Sequence, residues 1–109
     1  MSFKEKMIPL LTQEEFETLR STKHEKPVLI YFTAAWCNPC RAFDWESIRN
    51  SLQGYTVYLC DVDQNTYTPG YCGVRSIPNF FLLKTDSTFV GPKQMSESAK
   101  LLEWLKESS

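Results

Sequence analysis

A chain of 109 residues, 42% apolar and 14% aromatic, can bury one core but not two, so a single domain spanning residues 1–109 is expected. The formal net charge of −1 gives no electrostatic case for nucleic acid or an anionic membrane surface, which leaves proteins as the expected partners. No apolar run approaches the roughly 20 residues that span a bilayer, and Met1–Lys6 lacks the apolar stretch of a signal peptide, so a cytoplasmic location is expected, with the chain taken as a monomer.

Met7–Leu10 is a candidate edge strand, weakened by Pro9. Thr12-Gln13-Glu14-Glu15 has the form of a capping box and predicts a helix to about Ser21, with Phe16 and Leu19 facing the core beside Leu11. His24 lies in the polar connection Lys23–Lys26 and reads as a solvated loop residue, since no nucleophile is near it in sequence. Val28–Phe32 is continuously apolar rather than alternating, which suits a central strand covered on both faces.

That strand runs into Trp36-Cys37-Asn38-Pro39-Cys40-Arg41. Two cysteines separated by two residues can close a small disulfide ring and reopen it by exchange with another disulfide. Pro39 suits a first helical turn, which puts Cys37 at a helix start, where unpaired N–H groups and the helix dipole favour the thiolate, with Arg41 able to add to the effect. Cys37 is therefore expected to be accessible and Cys40 to lie under the first turn. Half a zinc site is the competing reading of such a pair, but Cys60 and Cys72 do not repeat the short spacing, so no metal is expected.

Ala42, Phe43, Trp45, Ile48 and Leu52 recur at helical spacing and predict one helix running on to Gly54. Tyr55–Asp61 reads as a second buried strand, joined to the first by a right-handed parallel crossover, with Cys60 buried in it. Asp63–Gly70 is polar with a Pro-Gly stop and leaves room for a short helix at most. Asn79–Leu83 and Thr88–Val90 are strands joined by a hairpin connection over Lys84–Ser87. The last helix begins near Ser96, which can cap it, and buries Ala99, Leu101, Leu102, Trp104 and Leu105.

The strand, Trp-Cys-x-x-Cys and helix order of Val28–Ile48, with Ile77-Pro78 downstream, resembles the thioredoxin family across the whole chain. The resemblance implies an α/β thioredoxin fold: a central mixed β-sheet flanked by α-helices on both faces. It also implies a thiol–disulfide oxidoreductase in which Cys37 attacks a disulfide of a protein substrate and Cys40 resolves the mixed disulfide. No bound cofactor is implied beyond the Cys37–Cys40 disulfide itself, with reducing equivalents from a thioredoxin reductase or a small thiol. In the family the proline matching Pro78 is cis, and the main chain of the residue before it binds extended substrate. Trp36, Ile77, Pro78 and Gly91 would then form the docking surface.

Departures from the family pattern cluster around the cysteines. Asn38 replaces the usual glycine and has no imidazole to stabilise a thiolate. Tyr31 stands where thioredoxins carry a buried acid, and Leu59 stands where many carry a lysine near it; these losses are consistent, since a buried lysine without its carboxylate is costly. Tyr31 within Tyr-Phe-Thr-Ala-Ala-Trp-Cys also resembles the tryparedoxin and nucleoredoxin branches. Trp45 replaces a kinking proline, which implies a straighter active-site helix. By the resemblance Cys72 lies near the docking surface as a candidate regulatory thiol, whereas its plain reading is a loop thiol. An oxidase or isomerase, or a binding module with dispensable cysteines, are the alternatives to a reductase.

Overall fold

The computed structural model describes residues 2–109. Its five strands are β1 (Ile8–Pro9), β2 (Val28–Thr33), β3 (Thr56–Asp61), β4 (Asn79–Leu83) and β5 (Phe89–Gln94), and its helices are α1 (Gln13–Ser21), α2 (Asn38–Arg41), α3 (Tyr67–Cys72) and α4 (Ser98–Ser108). The strands form one mixed sheet in the order β1-β3-β2-β4-β5. β2 runs parallel to β3 and antiparallel to β4, β1 is parallel to β3, and β4 and β5 are antiparallel.

β2 explains its own sequence. All six of its residues are buried, because a central strand has no solvent face. Leu29 and Tyr31 point into a core completed by Ile48, Leu52, Phe80, Leu101 and Leu105. Val28, Ile30 and Phe32 point the other way, into a core completed by Phe16, Leu19, Cys60 and Phe81. Each large apolar side chain so placed contributes about 1.5–3 kcal/mol through burial.

The capping box of α1 forms as read, with Thr12 Oγ1 accepting from Glu15 N at 3.1 Å and Glu15 Oε1 accepting from Thr12 N at 3.3 Å. Leu11, expected in the core, is 48% exposed. His24 is half-buried rather than fully solvated; its Nε2 donates to the Leu19 carbonyl at 2.7 Å, taking up a carbonyl left open at the end of α1.

The expected long helix after the cysteines is not continuous. α2 ends at Arg41, an irregular stretch spans 42–45, and a 3-10 helix runs over Glu46–Leu52. Phe43 and Trp45 explain the break: both are buried, their ring centroids 4.6 Å apart, whereas residues two apart on an α-helix face opposite sides. Burying both aromatics in one core requires the backbone to leave the helix, so the segment is not straighter but interrupted, and Ala42 is exposed instead of lying on an apolar stripe.

Further on, Pro69 and Gly70 do not stop α3 but lie inside it. Pro69 falls in the first turn, where its missing N–H costs nothing, and Gly73 at φ +78° ends the helix. Asn65 holds the start of α3 by accepting from Thr68 N at 3.1 Å, and its amide donates to the Leu10 carbonyl at 3.2 Å, tying α3 to β1. β5 continues past Val90 through Pro92 to Gln94. α4 starts one residue later than expected, with Glu97 rather than Ser96 at its cap position, and Ser98 Oγ donates to the Asp44 carbonyl at 2.5 Å.

Candidate active site

Parallel strands β2 and β3 end side by side, and the chain leaving β2 at Thr33 turns through Ala34–Trp36 into α2. Cys37 occupies the N-cap position, and Pro39 lies in the first turn, where its fixed φ suits the helix. Cys37 and Cys40 are joined as a disulfide, with Cα atoms 5.2 Å apart. The Cys40 N–H donates to Cys37 Sγ at 3.2 Å. α2 is one turn long, so the favourable field at Cys37 comes from this local N–H rather than from the dipole of a long helix.

The expected contrast in exposure is absent in the closed disulfide: Cys37 is 3% exposed and Cys40 1%. Cys37 is nevertheless bracketed by exposed Ala35, Trp36, Asn38 and Pro39, which places it just under the surface. Arg41 braces the turn, donating from Nη1 to the Ala35 carbonyl at 2.9 Å and from Nη2 to Asn38 Oδ1. Asn38, which brings no imidazole, thus serves as an acceptor that fixes the guanidinium.

Trp36 is 63% exposed, and its indole N–H donates to Asp63 Oδ2 at 2.8 Å. Asp63 was not among the residues singled out from sequence. Its signal was available in the topology, since the residues just after β3 must meet those just after β2 at the same sheet edge. Trp36, Val62, Pro69, Val74 and Ile77 wall a groove of about 430 Å³. Among the described residues, the main-chain N–H and carbonyl of Ile77 make no hydrogen bond within the chain. The Ile77–Pro78 peptide is cis, and so is Gly91–Pro92. Pro78 is buried behind Ile77, and Gly91 is exposed on β5.

Beneath the disulfide, Tyr31 is fully buried, and its hydroxyl donates to the Cys40 carbonyl at 3.3 Å. Its ring stacks on Phe80 (5.4 Å between centroids) and meets Trp45 edge-on at 4.9 Å. Burial pushes the phenol above its ordinary value, opposed by the side chains of Thr33 and Trp45. Leu59 lies opposite Tyr31 on β3. Cys60 and Cys72 are free and buried. Cys72 is the last residue of α3 and 4% exposed, a buried helix residue rather than a loop thiol. Burial pushes both thiols up to about 12, helped by Asp61 at Cys60 and by Cys60 at Cys72, so neither is a ready thiolate.

The thioredoxin family model matches residues 7–107. The chain belongs to the thioredoxin family. A thioredoxin of Rickettsia conorii is 34% identical over 85 residues, covering 75% of this chain and 81% of the relative. A thioredoxin-like protein of Synechocystis is 34% identical over 101 residues, 89% of this chain and 91% of the relative. Among solved structures, the thioredoxin of Fasciola hepatica superposes with a TM-score of 0.81 at 25% identity, covering 94% of this chain and all of the other. The mixed five-stranded sheet between helices is the thioredoxin fold, and the protein is a thiol–disulfide oxidoreductase whose redox group is the Cys37–Cys40 disulfide, with no bound cofactor.

Proposed function

We propose that this single domain is a protein-disulfide reductase in which Cys37 is the attacking sulfur and Cys40 the resolving one. The Cys37 thiolate attacks a substrate disulfide, forming a mixed disulfide and expelling one substrate thiol; Cys40 then attacks Cys37 Sγ, closing the ring and releasing the second thiol. Asn38 and Pro39 shape the turn. Trp36 is a lid held by Asp63, and Trp36, Ile77 and Gly91 form the docking surface, with buried Pro78 backing Ile77 rather than meeting substrate. The observation that carries this reading is the main chain of Ile77, with both polar groups unspent, beside a groove that shares Trp36 with the cysteine turn. Such groups recruit extended polypeptide by strand addition, with the groove taking an apolar side chain.

The oxidised domain is recharged by a thioredoxin reductase or a small thiol and works as a cytoplasmic monomer. No helix among the described residues is long and apolar enough to cross a membrane. With Cys40→Ser, substrates should be trapped as mixed disulfides on Cys37, and Cys37→Ser should capture none. Retained biological activity in the doubly substituted Cys37→Ser/Cys40→Ser protein would show a binding module instead. Equilibration with glutathione separates reductase from oxidase, since about 30 mV corresponds to ~1.4 kcal/mol for this two-electron couple.

A further inference from the structure

Two buried donors behind the disulfide have no counterpart in the exchange steps above. The first is the Tyr31 hydroxyl on the Cys40 carbonyl. The Cys40 carbonyl, in the last turn of α2, accepts from the Phe43 N–H at 3.2 Å and takes this hydroxyl from the strand beneath as a further donor. The second is the Trp45 indole N–H, buried and without an acceptor of hydrogen-bond geometry among the described residues. The Trp45 ring packs edge-on against Tyr31, with centroids 4.9 Å apart. A buried N–H left unmet costs about 1–3 kcal/mol, so it stands ready for whatever acceptor the reaction creates.

We propose that Tyr31 and Trp45 are positioning residues for Cys40, two uncharged donors that orient the resolving turn and stabilise the sulfur anion formed there when the disulfide opens. The inference rests on Cys40 being the resolving cysteine. In the resolving step the Cys37–substrate sulfur bond breaks and the Cys37–Cys40 bond forms. The Cys40 thiol proton passes to the departing substrate sulfur, directly or through water, so the products are the closed disulfide and one substrate thiol. No side-chain base is needed to balance the step. Among the described residues none faces the phenol: around Tyr31 stand Thr33 on its own strand, Leu59 on β3, Phe80 on β4, Cys40 on α2, and Phe43 and Trp45 on the segment between α2 and the 3-10 helix. The nearest charge in register is half-buried Asp61, opposite Thr33 at the strand end. A phenol held above its ordinary value stays protonated at neutral pH and remains a donor throughout.

The reduced protein mixed with an aromatic disulfide reagent, such as dithiobis(nitrobenzoate), releases chromophore in two phases. The first is second-order and reports attack by Cys37; the second is first-order and reports resolution by Cys40. Tyr31→Phe keeps the stacked ring and Trp45→Phe keeps an aromatic; each should slow the first-order phase by about tenfold and leave the second-order phase within about twofold. The first-order phase of the unsubstituted protein should show one ionisation between about pH 6 and about pH 9, whereas Tyr31→Asp should add a second. An unchanged first-order phase in both phenylalanine variants, or equal slowing of both phases, overturns the inference. Cys40→Ser serves as the control: release of two equivalents of chromophore from it would overturn the assignment of Cys40 itself, whatever the phenylalanine variants do.

Discussion

Gly91 sits at φ +116°, in the left-handed half of backbone space, and a Cβ added there would lie 2.9 Å from the Phe80 carbonyl oxygen. Both facts oppose any side chain, so Gly91→Ala should lower stability by about 1–3 kcal/mol in urea denaturation and shift the β5 edge beside the active site. Asp63→Ala leaves the exposed indole of Trp36 untethered; the apparent KM for a protein disulfide should rise by a few-fold while kcat changes less, as expected for a contact that orders the docking surface rather than the sulfurs. At this scale much of the site was legible. Cys37 and Cys40 announce themselves by spacing, and Tyr31 and Leu59 by the absence of the usual charges. Asp63 was not legible from local sequence, because its partner is 27 residues away and only the parallel pairing of β2 and β3 brings the two together. The burial of Cys72 was hidden for a similar reason: its helix covers a core face built from other elements.

Among the elements, α1 owes its start to the reciprocal bonds of Thr12 and Glu15, so Thr12→Ala should cost about 1 kcal/mol by thermal or urea unfolding and leave exchange activity unchanged. Where one feature decides an element, the sequence was readable: the capping box fixed α1, and the uninterrupted apolar run fixed β2. Reading failed where tertiary burial overrode periodicity. Phe43 and Trp45 fit a helical stripe when counted with Ile48 and Leu52, yet both belong to the same aromatic cluster as Tyr31 and Phe80, which a regular helix cannot satisfy. Similarly, Pro69-Gly70 looks like a stop, but the decisive terminator is Gly73, because only there does the backbone take positive φ.

For the whole molecule, the two free thiols set an alkaline limit. Their ordinary value is 9.0, and in the fold it is about 12 for each. Below pH 9.0 both states hold these protons and the contribution is constant; between 9.0 and about 12 the unfolded chain releases them while the native chain retains them, so stability falls as pH rises. Urea midpoints measured across that window should decline more steeply for this protein than for Cys60→Ala/Cys72→Ala, even though the double variant starts lower at neutral pH through lost packing.

The flanks of the sheet bear on how the protein meets extended polypeptide. On one side β1 is two residues long and ends in Pro9; on the other β5 carries Pro92 and the exposed Lys93. Neither border offers a run of free amides on which a foreign strand could grow into a fibre. An extended substrate pairing with the main chain of Ile77, as proposed, would meet no competing strand template at either flank.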